Sequence, residues 1–178
     1  MKERRIKIAL TIGDPAGIGP EIAAALLDSG KDFGADIALI GSGLSGYRTA
    51  GDGSITAGAL SEALSEGSPV IVDTGAGREV PAGRPSAAGG AVSGEAVAAA
   101  ARLAAEGAIE GIVTGPISKE ALGLAGYSYI GHTDMLSDLL DAPDCQMTVS
   151  YTHLRAHETV RWISYAVFCL KMGGGGGG

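Results

Sequence analysis

Two kinds of segment alternate along the first 147 residues of the chain. Short apolar runs rich in β-branched residues predict buried strands, and longer segments bounded by start and stop signals predict helices. The predicted strands are Ile6–Ile12, Asp36–Ile40, Pro69–Asp73 and Ile109–Thr114. Strands that alternate with helices through short glycine-rich turns predict an α/β fold with a largely parallel sheet.

Capping residues place the helices between these strands. Pro20 favours a helix start, Ser118 and Thr133 are expected N-caps, and Gly30 and Gly107 are expected stops. The predicted helices are Glu21–Ser29, about Ala91–Glu106, Lys119–Ala125 and Asp134–Leu140. In parallel sheets ligands bind at the carboxyl ends of the strands, so chemistry is expected in the turns GDPAGIGPE and TGPISKE.

Composition narrows the class of protein. Hydrophobic residues make up 46% of the 178 residues, which argues against disorder, and the net charge of -7 makes a nucleic-acid partner unexpected. Two cysteines form no disulfide framework and no CxxC pair. The first apolar run is followed by Gly-Asp-Pro, so no signal peptide is predicted, and no segment approaches the roughly 20 apolar residues of a membrane span. A cytoplasmic protein with no membrane partner is expected.

The turn from Gly13 to Glu21 joins a predicted strand to a helix. Glycines there, among them Gly17 and Gly19, would let the backbone approach a ligand, and a helix start offers N–H groups to an anion. The spacing is neither Walker A nor GxGxxG. A purely structural turn is the other interpretation. Gly13, Asp14, Gly17 and Gly19 are the candidate ligand-binding residues of this turn.

Two further motifs hold candidate ligand groups. Lys119 follows Gly115-Pro116 in a position that the helix dipole mildly disfavours, which suggests a phosphate or carboxylate ligand; a solvated surface lysine is the alternative. His132 precedes Thr133 in the stretch GHTD, beside a predicted helix start that could bind an anion. An ordinary surface histidine is the alternative.

Together these stretches resemble the 4-hydroxythreonine-4-phosphate dehydrogenase family of pyridoxal phosphate biosynthesis. The resemblance rests on TIGDPAGIGPEI, GRPSAAGG, AIEGIVTGPISKEALGLAG and YIGHTDML, in the family's order and spacing, and covers residues about 5–147. That corresponds to the N-terminal half of a family member. Related dehydrogenases of threonate or erythronate phosphate share the motifs.

The resemblance implies a three-layer αβα fold of the isocitrate/isopropylmalate dehydrogenase type, incomplete in this fragment. It implies a cytoplasmic homodimer with the active site between domains, and oxidation with decarboxylation of a phosphorylated four-carbon hydroxy acid such as 4-phosphohydroxy-L-threonine. NAD or NADP would accept the hydride, and Zn, Mg, Mn or Co would polarise the alcohol. His132, Thr133 and Lys119 would bind substrate, and the cofactor-binding residues would be Gly13, Asp14, Gly17 and Gly19. The catalytic residues stay unassigned.

The resemblance also implies a division of the chain. Residues 1–128 would form the first α/β domain without its C-terminal completion, and residues 129–148 would start the second. The family's three metal-binding histidines lie further along, the first in a T-T-H-x-P motif. His153 superficially imitates that ligand in YTHLR, but it comes too early and is followed by Leu154-Arg155 rather than x-Pro. No metal ligand is therefore predicted in this chain.

His153 and His157 form an H-x-x-x-H spacing that would place two imidazoles on one helix face. Another origin competes with a metal site. VSYTHLRAHET and ISYAVFCL back-translate, with permitted codons, into the two halves of a common transposase-based sequencing adapter. The six glycines at the end then read as poly-G. Residues 149–178 are therefore predicted to be translated adapter rather than native protein.

Two functions from other classes stay open. A phosphate acyltransferase-like protein would also use strand-end anion loops. A non-catalytic anion-binding α/β domain would need a native stop soon after residue 147.

Overall fold

The computed structural model describes residues 4–75 and 78–142, and these form a parallel sheet with helices on both faces. The strands are β1 Ile6–Thr11, β2 Ala35–Gly41, β3 Thr49–Asp52, β4 Val70–Asp73 and β5 Gly111–Thr114. The helices are α1 Gly19–Asp28, α2 Ala57–Glu66, α3 Ala87–Ala105, α4 Lys119–Leu124 and α5 His132–Leu139. The predicted α/β class is confirmed.

The sheet has five strands in the order β3-β4-β2-β1-β5, and every pairing is parallel. β1 therefore lies between β2 and β5, with Ala9 opposite both Ala38 and Ile112. Because all strands run the same way, the turns that follow β1, β2, β4 and β5 gather at one edge. The two turns that the sequence singles out follow the neighbouring strands β1 and β5.

Side-chain alternation along β2 gives the sheet its two packed faces. Ala38 and Ile40 point into a cluster that also holds the buried residues of α2, α3 and α5. Ile37 and Leu39 point to the opposite face, against Ala23 of α1. The arrangement is three-layered, as expected, with β2 apolar on both faces because both faces are covered.

α3 is buried along most of its length, and its small residues let α4 approach closely. A Cβ on Gly90 would lie 1.9 Å from the carbonyl oxygen of Ala121, and a Cβ on Gly94 would lie 2.4 Å from the ring of Tyr127. Glycine is therefore needed at both positions for packing. The contact between α3 and α4 positions residues 125–131, which connect α4 to α5.

The predicted boundaries agree with the structure to within about two residues, except at the start of α3. Thr133 is not an N-cap: α5 begins at His132, its N-cap is Gly131, and no side chain caps it. α3 begins at Ala87 rather than near Ala91, because Ser86 accepts the N–H of Gly89. The short strand β3 and the helix α2 were not predicted.

Met135 and Leu136 of α5 are buried in the same cluster as α3. Helix α5 thus packs on the first α/β layer even though it follows residue 128. The division at residue 128 stays a prediction.

Candidate functional site

The turns after β1 and β5 are held together by backbone hydrogen bonds. The N–H of Asp14 donates to the carbonyl oxygen of Pro116 at 2.9 Å, and the N–H of Gly115 donates to that of Thr11 at 2.8 Å. Thr11 Oγ1 also accepts the Gly115 N–H at 3.2 Å. The GDPAGIGPE and TGPISKE turns therefore form one surface at the carboxyl edge of the sheet.

Close packing within this surface explains two of the predicted cofactor-binding glycines. Gly13 has a φ of +87°, and a Cβ there would lie 2.1 Å from the oxygen of Pro116. A Cβ on Gly19 would lie 2.0 Å from the oxygen of Ile12. Both glycines are buried, so the fold itself requires them, whereas Gly17 is exposed. Of the three, Gly17 is the one whose backbone is accessible to a ligand.

Asp14 faces inward rather than toward solvent. Its side chain is buried, and Oδ1 accepts the N–H of Ala16 at 2.9 Å. The same oxygen lies beside the start of α3, where a Cβ on Gly89 would come within 2.8 Å of it. This orientation supports a role in holding the turn rather than direct contact with a cofactor.

His132 and Thr133 contribute the polar atoms of the site. They are the first two residues of α5, and both are partly buried. His132 Nε2 and Thr133 Oγ1 are buried with no hydrogen-bond partner in the described part of the chain. Buried polar atoms almost always have a partner, so a ligand oxygen would satisfy this pair.

Burial changes the pKa of His132. It lowers the pKa of the imidazole from its ordinary value, and a hydrogen bond with the backbone of Gly115 opposes part of that change. His132 thus lies against the end of β5, next to the joined turns. The structure brings together the β1 turn, the β5 turn and the GHTD motif.

Lys119 lies at the edge of this surface. It is the exposed first residue of α4, and Ser118 caps that helix as predicted by accepting the Ala121 N–H at 3.2 Å. Lys119 forms no ion pair with another described residue. Its ammonium group is available to an anion, and equally to solvent.

Sequence reasoning missed Thr11 as part of this site. Thr11 is buried at the end of β1 and holds the start of the β5 turn through its main-chain oxygen and its hydroxyl. The signal available was a hydroxyl residue at the last position of the predominantly apolar strand β1.

Two cavities lie away from this surface. A cavity of about 480 Å³ at the ends of β3 and β4 is lined by Asp52, Asp73, Arg78, Glu95 and Arg102, among others. Arg78 and Glu95 are paired there through two hydrogen bonds of 2.7 and 2.8 Å. A second cavity of about 320 Å³ lies at the amino edge of the sheet, beside Arg5 and Phe33. Neither cavity is lined by His132, Thr133 or Lys119.

The described residues do not supply a metal centre. Within residues 4–75 and 78–142, no three His, Cys, Asp or Glu side chains are grouped as metal ligands. His153 and His157, the pair with helical metal-ligand spacing, lie outside the described residues. Among the helices of the described ranges, none has the length and apolar character needed to cross a membrane.

Curated relatives match most of this chain. The D-threonate 4-phosphate dehydrogenase of Salmonella typhimurium (strain LT2) is 34% identical over 170 residues, covering 86% of this chain and 51% of the relative. The 4-hydroxythreonine-4-phosphate dehydrogenase of Geobacter metallireducens is 33% identical over 164 residues, covering 87% and 48%. This chain spans about half the length of the curated relatives that it matches.

Solved structures agree with these matches. A 4-hydroxythreonine-4-phosphate dehydrogenase from Klebsiella pneumoniae is similar with a TM-score of 0.58 at 31% identity, covering 78% of this chain and 45% of that chain. One from Burkholderia phymatum gives a TM-score of 0.59 at 29% identity, covering 77% and 44%. The expected fold type is confirmed.

A family model also matches this chain. It is described as Pyridoxal phosphate biosynthetic protein PdxA and matches residues 45–169, well over half of the chain. With the shared fold and the motifs joined at the carboxyl edge, this match establishes that the chain belongs to the pyridoxal phosphate biosynthetic protein PdxA family.

Proposed function

We propose that this chain is the N-terminal part of an NAD(P)-dependent dehydrogenase that oxidises a phosphorylated four-carbon hydroxy acid. The dehydrogenases that it resembles are named for such substrates. In this proposal the carboxyl-edge surface built from the β1 turn, the β5 turn and GHTD is half of the active site. The remainder belongs to sequence that the relatives have beyond the matched half.

The observation that carries the proposal is the unsatisfied pair His132 Nε2 and Thr133 Oγ1. Leaving a buried polar atom without a partner costs about 1–3 kcal/mol. A phosphate or carboxylate oxygen would accept from the threonine hydroxyl and from a protonated Nε2. The first turn of α5 adds main-chain N–H groups and a partial positive charge beside them.

The chain's own residues bind and orient the substrate in this scheme. His132 and Thr133 hold an anionic group, and Lys119 adds a positive charge at the rim. Gly17 offers exposed backbone to the cofactor, while Gly13, Gly19 and Asp14 hold the turn in place. A bound nicotinamide ring would accept the hydride.

No step is assigned to a metal ion, because the described residues do not fit one. A divalent cation in the parent protein would need ligands from sequence that is not described in this structure. A homodimeric, cytoplasmic parent and the choice between NAD and NADP belong to the same proposal.

Two substrates are compatible with this proposal. D-threonate 4-phosphate and 4-phosphohydroxy-L-threonine share the phosphate, the carboxylate and the hydroxyl to be oxidised, and they differ in a hydroxyl or an amine at C2. Relatives named for each substrate match this chain at 34% and 33% identity. D-Threonate 4-phosphate dehydrogenase is therefore the second candidate function.

Calorimetric titration of the chain with both compounds and with unphosphorylated D-threonate tests the binding step. We expect the phosphorylated compounds to bind and D-threonate to bind at least tenfold more weakly, because it lacks the phosphate. Replacing the hydroxyl by a methyl in Thr133→Val should weaken phosphate-dependent binding about fivefold, as a lost hydrogen bond of about 1 kcal/mol would. Equal binding of all three compounds would contradict the proposal.

The domain division and the origin of the tail remain proposals. We propose that residues 149–178 are translated adapter, which would remove His153 and His157 from any metal site. The family match reaches residue 169 and thus overlaps this segment, which is an observation against an adapter origin for its first part. The nucleotide record decides: codons across 149–170 that differ from the adapter would refute the proposal.

A further inference from the structure

Asp14 is buried, with only 5% of its surface exposed, although it is a charged residue in a turn. Acidic side chains are rarely buried unless something compensates the charge. Asp14 forms no ion pair with another described residue. One oxygen, Oδ1, accepts the N–H of Ala16 at 2.9 Å, and the compensation for the charge must come from elsewhere.

The start of α3 provides that compensation. Asp14 Oδ1 lies so close to Gly89, in the first turn, that a Cβ on that glycine would meet it at 2.8 Å. The N-terminus of a 19-residue helix carries a partial positive charge that favours a carboxylate beside it. Ser86 already caps this helix by accepting the N–H of Gly89 at 3.1 Å. The carboxylate therefore acts as a charge beside the helix and not as its cap.

The main chain of Asp14 reaches the other half of the site. Its N–H donates to the oxygen of Pro116 at 2.9 Å, which joins the β1 turn to the β5 turn. Gly115, the preceding residue, is the backbone against which the imidazole of His132 lies. A single residue thus contacts α3 through its side chain and supports the His132 site through its backbone.

We propose that Asp14 is a positioning residue: its carboxylate seats the β1 turn on the first turn of α3, so that its N–H holds Pro116 and keeps Gly115 beneath His132. The role depends on the negative charge and not only on the hydrogen bond to Ala16. The inference uses the proposed function only in treating His132 as a ligand-binding group. The test of the Asp14 role uses no ligand. The Asp14 role can therefore fail while the proposed function stands, and the proposed function can fail while the Asp14 role stands.

The test follows the His132 imidazole by NMR titration in the full 178-residue chain, with the resonance assigned by its absence in His132→Gln. In Asp14→Asn the amide oxygen can still accept the Ala16 N–H, but the charge is lost. We expect the Asn variant to stay folded and the pKa of His132 to fall below its value in the unmodified chain, because the contact with the Gly115 backbone that raises this pKa is weakened. Asp14→Ala should lower it further, because the hydrogen bond from the Ala16 N–H is lost as well.

Asp52 provides the matched control. Its Oδ1 accepts the N–H of Ser54 at 2.9 Å in the same i to i+2 pattern, but it is exposed at the end of β3. Asp52→Asn should leave the His132 titration unchanged. A folded Asp14→Asn chain whose His132 titrates as in the unmodified chain would overturn the proposal. Unfolding of Asp14→Asn under conditions where Asp52→Asn is folded would also overturn it, since Asp14 would then support the fold in general.

Discussion

His132 shows how burial couples the site to pH. Burial disfavours the charged imidazole and lowers its pKa in the folded chain, with the backbone of Gly115 opposing part of the effect. In the unfolded chain His132 would titrate near the ordinary value of 6.5. As the pH falls below that value, the unfolded chain takes up the proton first.

The contribution of His132 to the free energy of unfolding should therefore be greatest above pH 6.5. This contribution should fall as the pH drops toward the pKa of His132 in the folded chain. Below the folded pKa both states are protonated and the loss levels off. Urea denaturation at a series of pH values measures this. His132→Gln, which cannot titrate, should lose this component of the pH dependence. An identical pH dependence in the two chains would show that folding does not lower the pKa of His132.

Lys119 tests whether charge at the rim contributes to binding. Lys119→Ala should weaken binding of D-threonate 4-phosphate about tenfold, because a charge-assisted hydrogen bond contributes about 1.5 kcal/mol or more. Lys31→Ala is the matched control, since Lys31 is an exposed lysine that lines the cavity at the opposite edge of the sheet. Calorimetric titration measures both variants. Equal affinities would leave Lys119 as a solvated surface residue.

At the scale of elements, the contact between α3 and α4 positions the segment that leads to His132. Gly90→Ala would bring a Cβ to 1.9 Å from the oxygen of Ala121, so backbone must move. We expect the free energy of unfolding to fall by about 1–3 kcal/mol, the usual cost of overpacking.

Gly58 is the control for this change. It lies in α2, and a Cβ there would meet no atom within 4 Å. Gly58→Ala should raise the free energy of unfolding by about 0.5–1 kcal/mol, because alanine favours a helix. Thermal or urea unfolding of both variants checks the pair. A Gly90→Ala chain as stable as Gly58→Ala would refute the close approach of α3 and α4.

The sequence predicted elements wherever local signals were sufficient. Four strands were predicted from apolar runs, and the Ser118 cap from its position before KEAL. β3 was missed because TAGD contains no apolar run. α2 was missed although Thr56 and the spacing of Leu60 and Leu64 were available signals. Thr133 was wrongly predicted as the cap because threonine is a common N-cap residue, whereas α5 begins one residue earlier, at His132, after Gly131.

The site was predictable in part, for a physical reason. The parallel fold alone places the β1 and β5 turns at one edge, whereas their proximity depends on β1 and β5 being neighbouring strands, which the sequence did not predict. The requirement for glycine at Gly13 did not, because it depends on the oxygen of Pro116, which is distant in the chain. The inward orientation of Asp14 depends likewise on α3.

At the scale of the whole molecule, half of the relatives' length is matched and the described residues supply no metal centre. The chain by itself should therefore reduce neither NAD nor NADP with either phosphorylated substrate, with or without added Mg²⁺, Mn²⁺, Co²⁺ or Zn²⁺. Absorbance at 340 nm measures this, with a full-length relative as the positive control. Metal-dependent reduction by the purified chain would show that it holds a complete active site.

The proposed dehydrogenase activity is best tested on the full-length protein encoded by an independent genome copy that begins with residues 1–147 of this sequence. The measurement is NAD(P) reduction with D-threonate 4-phosphate and 4-phosphohydroxy-L-threonine, in the unmodified protein and in His132→Ala. We predict metal-dependent reduction with at least one of these substrates, none with unphosphorylated D-threonate, and a fall in kcat/KM of at least tenfold in His132→Ala, as expected for a lost charge-assisted contact. A protein that reduces neither cofactor with any phosphorylated hydroxy acid, or whose activity is unchanged by His132→Ala, would contradict the account.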